Sequence, residues 1–283
     1  MSARLSEKAM LVSLSMSQWT ARKKDARVTK EVADRYAASE KSGQYTKALI
    51  AKEHLESISK SATAARTYHY KMTLPWLDDG ARILPSAHFQ DYSEKMREFR
   101  TLFEDNVNAF LSNYPVLVDQ TRYALNGLYN EEDYPSIEKM RRKFRFETNI
   151  LPLPEVTDFR VQLQGEDIEA VKRSTENRLK AAQMQANREI YARLAEYVGR
   201  MAEKLNGEKS VFRDTLVENL RELVELIPGL NVTDDPRIEE LRQEVAEKLT
   251  QHSPQMLREH KTARRETAKA AQEIMDKMGA YFG

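Results

Sequence analysis

Between Glu166 and Leu205, apolar or small side chains recur at Ile168, Val171, Thr175, Leu179, Ala182, Ala186, Ile190, Leu194, Val198, Met201 and Leu205, a mean interval of about 3.7 residues. That interval belongs to an α-helix that is nearly straight or weakly right-handed. A left-handed coiled coil would need 3.5. Forty residues at 1.5 Å each make a rod of about 60 Å, longer than a small domain is wide. Its apolar seam therefore needs cover, either from further helices of the same chain or from a second copy. Small residues in the middle of the seam would let the covering helix approach closely.

The sequence after this rod supplies more helices. Gly207 ends it, and residues 210–227 follow with Val211, Leu216, Leu220, Leu223 and Ile227 on one side, stopped by Pro228-Gly229. Asp235 before Pro236 and Ser253 before Pro254 read as N-caps with proline in the first turn, and the last helix should run to about Tyr281. Before the rod, helices are expected at 28–39, 44–65, 87–112, 116–127 and 136–146, with Pro115 and Pro135 as first-turn prolines. Leu151-Pro152-Leu153-Pro154 cannot be regular helix.

Strands should be few. Met10, Val12, Leu14 and Met16 alternate with Ser13, Ser15 and Ser17, which is period two with one buried face. The same period at Tyr68, Tyr70, Met72 and Leu74 predicts a strand closed by Pro75. Asp78-Asp79-Gly80 reads as a turn returning through Ala81–Leu84, and residues 156–163 are a further candidate strand. The expected fold is α+β and helix-dominated, with a small antiparallel sheet in an N-terminal region, 1–164, and long helices in 165–283.

Chemistry is hard to place on this chain. With no cysteine, zinc–thiolate sites, iron–sulfur clusters, thiol catalysis and disulfides are excluded together. The nine glycines form neither G-x-G-x-x-G nor a P-loop, no serine sits in a nucleophile elbow, and the five histidines never fall in a metal spacing. They read as solvated or capping residues. Asp78-Asp79, Glu131-Glu132-Asp133 and Asp234-Asp235 fall at turns or before helices, where carboxylates serve as caps better than as metal ligands. No catalytic residue, metal or cofactor is assigned. No apolar run reaches the length of a membrane span, and serines interrupt the only candidate signal core, so a cytoplasmic location is expected.

Charge is the remaining signal. Residues 1–72 hold fourteen basic and seven acidic side chains against 31 and 37 in the remainder, so a +7 head precedes a −6 body. Within and beside the head, Trp19, Tyr68, Tyr70 and Trp76 are interleaved with Arg22, Lys23, Lys24, Arg27, Arg66, Lys71 and Arg82. Single-stranded nucleic acid is bound by this combination, because aromatic faces stack on bases while cations meet phosphates. Trp19, Arg22, Lys23, Lys24, Arg27, Arg66, Lys71 and Arg82 are accordingly the candidate nucleic-acid-binding residues. Against that, Tyr68 and Tyr70 share a face with Met72 and Leu74, which favours the core for the tyrosines.

Leu74-Pro75-Trp76, Gly80-Ala81-Arg82-Ile83-Leu84-Pro85, Phe110-Leu111-Ser112-Asn113-Tyr114, Tyr134-Pro135-Ser136, Asp158-Phe159-Arg160-Val161 and Leu257-Arg258 together resemble a family of uncharacterised proteins encoded largely by bacteriophages, over most of the chain. The resemblance implies a phage gene product in the bacterial cytoplasm, with AAA+ ATPases and von Willebrand-type domain proteins as gene neighbours. It carries no functional residues with it. The expectation is a non-enzymatic protein that self-assembles into a homo-oligomer and binds nucleic acid in replication, recombination or genome protection. The alternative is a protein-only adaptor or assembly factor, serving such an ATPase. A hydrolase or nuclease using the acidic clusters ranks last.

Overall fold

A computed structural model of the protein describes residues 5–77, 80–154, 165–207 and 212–282. In chain order, a single helical turn α1 (Leu5–Lys8) leads into β1 (Ala9–Ser17), where the period-two strand was expected. A short strand β2 (Arg22–Lys24) and helix α2 (Ala26–Arg35) follow; Asp25 caps α2 by accepting from the Val28 amide. The predicted helix over 44–65 is instead a strand β3 (Thr46–Ala48), a 3-10 turn at Lys52–Leu55, and the start of α3 (Glu56–Met72).

Helix α3 overturns the strand expected at 67–74. Ile58, Ala62, Ala65, His69 and Met72 are all buried at spacings of three and four, so the helical period continues straight through Tyr68 and Tyr70. Extending a formed helix costs little beside nucleating a new element. Only Leu74–Pro75 remains as strand β4, which turns through Gly80 into β5 (Arg82–Pro85). Gly80 has φ +74°, a conformation that suits glycine.

The two helices expected around Pro115 are one, α4 (Phe89–Leu125). Tyr114 and Leu117 are buried on either side of the proline, so packing holds the helix together despite the missing donor. The helix predicted over 136–146 shrinks to α5 (Ile137–Arg141), capped by Ser136, and the chain turns into β6 (Arg145–Pro152). The strand expected at 156–163 lies outside the described residues.

The rod is present as α6 (Gly165–Asn206). After it come α7 (Thr215–Leu230), α8 (Pro236–Leu249), α9 (Pro254–Glu259) and α10 (Lys261–Phe282). Pro228-Gly229 does not stop α7. Gly229 instead packs on His88, whose Nε2 would stand 2.1 Å from any Cβ at that position. The final helix breaks at His260, which is extended at φ −110°, ψ 101°.

Antiparallel pairing gives a sheet in the order β4-β5-β1-β6, with Met10 opposite Leu84 and Leu74 opposite Ile83, and β2-β3 form a separate ribbon. By contacts the chain makes two compact units: residues 1–13, 70–91 and 149–283 in one, and 14–69 and 92–148 in the other. This division is interleaved along the chain.

In the first unit, α6 packs chiefly on α10 and α7, and its seam is buried from Ala182 to Leu205. At Gly199 a Cβ would lie 3.5 Å from the Met275 Cε of α10, ordinary contact distance. In the second unit, Phe103, Val107, Phe110 and Tyr114 of α4 form the buried face. Among the described residues, no helix is long and apolar enough to cross a membrane.

Candidate nucleic-acid interface

The candidate residues of the second unit are organised by the β2-β3 ribbon. Its register sets Arg22 opposite Ala48, Lys23 opposite Lys47 and Lys24 opposite Thr46. Alternation along a strand sends Lys23 and Lys47 to one face and Arg22 and Lys24 to the other. On the inner face the two ammonium groups, like charges directly opposite each other, are reconciled by carboxylates. Lys47 Nζ lies 2.8 Å from Asp133 Oδ2 and 3.1 Å from Asp25 Oδ2, and donates to the Leu128 carbonyl at 2.8 Å. Lys23 Nζ meets the other oxygen of Asp133 at 2.6 Å.

Lys47 and Asp133 are buried, so the arrangement stands on pairing and not on solvation. Burial pulls the Lys47 ammonium toward neutrality, but the hydrogen bonds it donates to Asp133 and Asp25 outweigh that and hold its pKa above the ordinary value. Burial likewise pushes Asp133 up, and Lys23 and Lys47 bring it below the usual carboxylate range. The amide of Val28, then Lys47, lowers Asp25. Asp133 is thus a buried ion-pair centre and not the cap expected of it; Asn130 caps that turn by accepting from the Glu132 amide. Asp235 does cap α8, and Asp234 pairs with Lys8. Asp78-Asp79 lies outside the described residues.

Of the basic run, then, Lys23 is neutralised within the chain. Arg22 and Lys24 are exposed and have no ion-pair partner among the described residues. Arg27 donates to the Gly127 carbonyl at 3.1 Å, and Arg66 stands exposed on α3. Trp19 is half-buried and packs on α4, its ring 6.0 Å from Tyr114 edge-on and 6.3 Å from Phe110. Tyr68 likewise stacks inside the unit, on Tyr92.

Lys71 and Arg82 fall in the other unit and have work there. Lys71 pairs with Glu222 at 2.5 Å, and Arg82 donates to Thr73 and lies over the Tyr70 ring at 4.6 Å. His69 and His88 are buried, not solvated. His69 Nδ1 is 2.7 Å from the Tyr92 hydroxyl, and burial lowers the pKa of His88.

A second group of cations escaped the sequence reading. Lys139, Arg141, Arg142, Lys143 and Arg145 occupy seven residues at the turn from α5 to β6, all exposed. The run is plain in the sequence, but averaging charge over an acidic remainder hid it. Arg141 donates to Asn108 at 2.7 Å and Arg145 is 3.6 Å from Glu147, while Arg142 and Lys143 have no such partners among the described residues. Ser17 at the end of β1 donates to the Lys143 carbonyl at 3.1 Å, and Phe144 packs edge-on to Phe110 at 5.8 Å. The aromatic group Trp19, Phe110, Tyr114 and Phe144 therefore anchors both basic segments. From Ser17 to Arg22 is at most about 18 Å of extended chain.

No group of three or more His, Cys, Asp or Glu side chains able to hold a metal occurs among the described residues. Residues 6–258, nearly the whole chain, match a family model described as "Protein of unknown function (DUF3150)". No curated protein and no solved structure matches the chain.

Proposed function

We propose, from the premise that the chain belongs to the DUF3150 family of proteins of unknown function, that it acts by binding and not by chemistry, and that the unit formed by residues 14–69 and 92–148 binds single-stranded nucleic acid. The observation that carries this reading is the sorting of the basic residues. Asp133 and Asp25 neutralise Lys23 and Lys47, yet Arg22, Lys24, Arg142 and Lys143 remain exposed on segments joined to one aromatic core. The phage origin and cytoplasmic setting implied by the sequence landmarks are part of the same proposal.

Fluorescence anisotropy with a labelled single strand, repeated over a salt series, tests it. Each phosphate neutralised contributes about 0.7 to the slope of log affinity against log salt for single strands. Replacing Arg22 and Lys24 with Ala should flatten that slope by about 1.4, and Arg142 with Lys143 by as much again. Lys23→Ala should leave it unchanged. Indifference to both pairs, or no binding at low salt, would move the adaptor reading to first place.

Self-association is the second element. Ile168, Val171, Thr175 and Leu179 on the first half of α6 are only half-buried, whereas the seam from Ala182 onward is covered by the chain's own helices. Leu179→Asp, unlike a substitution deeper in the bundle, should dissociate an oligomer without unfolding it. A native mass spectrum showing only monomer for the unsubstituted chain would remove this element.

A further inference from the structure

A groove of about 370 Å³ lies along α2, between Thr29 and Val32 on the helix, Tyr36 at its C-cap, and the segment ending at Tyr45. Three of its walls are large apolar side chains left open to solvent: Val32, Tyr36 and Tyr45 are 47%, 73% and 37% exposed. Its geometry is fixed from below. The Tyr45 amide donates to the Thr29 hydroxyl at 3.0 Å, that hydroxyl donates to the Asp25 carbonyl at 2.7 Å, and the Asp25 amide donates to the Tyr45 carbonyl at 3.0 Å. Tyr45 is thus tied to the same Asp25 that holds Lys47. Ser42 and Gln44 add polar groups to the lining.

The charges around the groove are mostly of one sign. Lys24 is the cross-strand partner of Thr46, the residue after Tyr45, and it is exposed. Lys41 sits between the lining residues Ser39 and Ser42, exposed, with Glu40 beside it. The acids of α2 itself, Glu31 and Asp34, fall on the side of the helix away from Thr29, Val32, Ala33 and Tyr36, at 100° per residue. An apolar slot lined by two tyrosines and flanked by exposed lysines fits a flat aromatic group attached to an anion. The volume is in the range of small-ligand sites.

We propose that this groove seats an unpaired base of a bound single strand, stacked on Tyr36 and Tyr45, while the adjoining phosphates meet Lys24 and Lys41. This rests on the nucleic-acid reading above and adds to it a subsite for the base, built from residues other than the Trp19 and Tyr68 that packing has taken.

The test uses the full chain, a fluorescein-labelled oligothymidylate, and the same strand with abasic sites. Tyr36 is mostly exposed, so Tyr36→Ala should keep the fold, checked by circular dichroism. It should weaken oligothymidylate binding by about 5- to 150-fold with an unchanged salt slope, because stacking releases no counterions. Tyr36→Phe should restore affinity, and the abasic strand should bind the Ala variant as well as it binds the unsubstituted chain. If Tyr36→Ala binds oligothymidylate normally while the Arg22/Lys24 pair still flattens the slope, the groove is not a base site, and the interface stands without it. Absence of any oligothymidylate binding overturns both. Tighter binding of a polyglutamate peptide than of oligothymidylate, abolished by Tyr36→Ala, would assign the groove to an acidic protein partner instead.

Discussion

The two units differ in how many of their cations the chain itself takes up. In the unit holding α6, α7 and α10, arginines turn inward onto carbonyls that helix ends leave without partners. Arg193 of α6 donates to Tyr70, Lys71 and Thr73 at 3.0 Å or less, at the end of α3. Arg221 of α7 donates to Thr250 and His252 beyond α8, and Arg264 of α10 to Lys204, Leu205 and Gly207 at the end of α6. A guanidinium suits this task because its fork reaches several oxygens at once and complements the negative end of the helix dipole. In the other unit, one lysine is buried among carboxylates, one pairs at its edge, and several basic side chains have no ion-pair partner among the described residues. A count of basic residues thus says nothing of their work. Nearby acceptors decide it.

The largest test of this contrast is Leu194→Asp. Leu194 is wholly buried in the chain's own bundle, so an unpaired carboxylate there should cost more than about 4 kcal/mol and unfold that unit. Hydrogen exchange would show the loss in α6, α7 and α10. Retained protection in those helices would mean the bundle core is misplaced.

Next in size is Lys47→Met, which strands Asp25 and Asp133 without their shared cation. It should destabilise the ribbon unit by about 3 kcal/mol, read from urea midpoints, with the double substitution Lys47→Met/Asp133→Leu recovering part of the loss. Arg221→Ala should cost about 1.5–3 kcal/mol, since charge-assisted hydrogen bonds to the Thr250 and His252 carbonyls disappear. A cost no greater than that of an exposed arginine would contradict the capping role.

The ion-pair network also fixes a pH dependence. Asp25 and Asp133 have lowered values, so their stabilisation is complete above the ordinary aspartate value of 3.8 and is lost as pH falls through the lowered ones. Lys47 is raised, so its contribution is complete below 10.5 and is lost as pH rises through its folded value. Exchange at the Lys23 and Lys47 amides, corrected for intrinsic rate, should therefore be slowest on a plateau between those limits. Opening that begins near neutrality would count against the network. The smallest effect should come from Arg22→Ala with Lys24→Ala, within about 0.5 kcal/mol on stability, because both are exposed and have no ion-pair partner among the described residues. Their consequence belongs to the salt slope alone.

Much of the helical architecture was legible because its signals are local. The seam of α6 repeats every turn, Asp235 and Ser253 sit beside the amides they cap, and β1 shows its period within nine residues. The errors came where a local signal met a competing one. Tyr68 and Tyr70 mimic a strand, but the helix already running from Glu56 carries through them. Pro115 should break a helix, but buried Tyr114 and Leu117 keep it whole. For the candidate site, the sequence pointed to Arg22, Lys23, Lys24 and Trp19 alike; it held no sign that Lys23 pairs with Asp133 or that Trp19 packs on α4.

The sequence alone settled the elements that depend on neighbours within about one helical turn: the rod, the caps, the first strand, and the absence of any thiol chemistry. The tertiary structure decided which cations are occupied. Arg193 finds its carbonyls 120 to 123 residues away and Lys47 finds the Leu128 carbonyl 81 residues away, while Lys23 and Lys24, adjacent in the chain, face opposite sides of one ribbon. Periodicity records which side chains share a face of one element. It holds no information on what that face meets, because a charge's partner is chosen by distance in space, and a folded chain brings remote residues as close as adjacent ones.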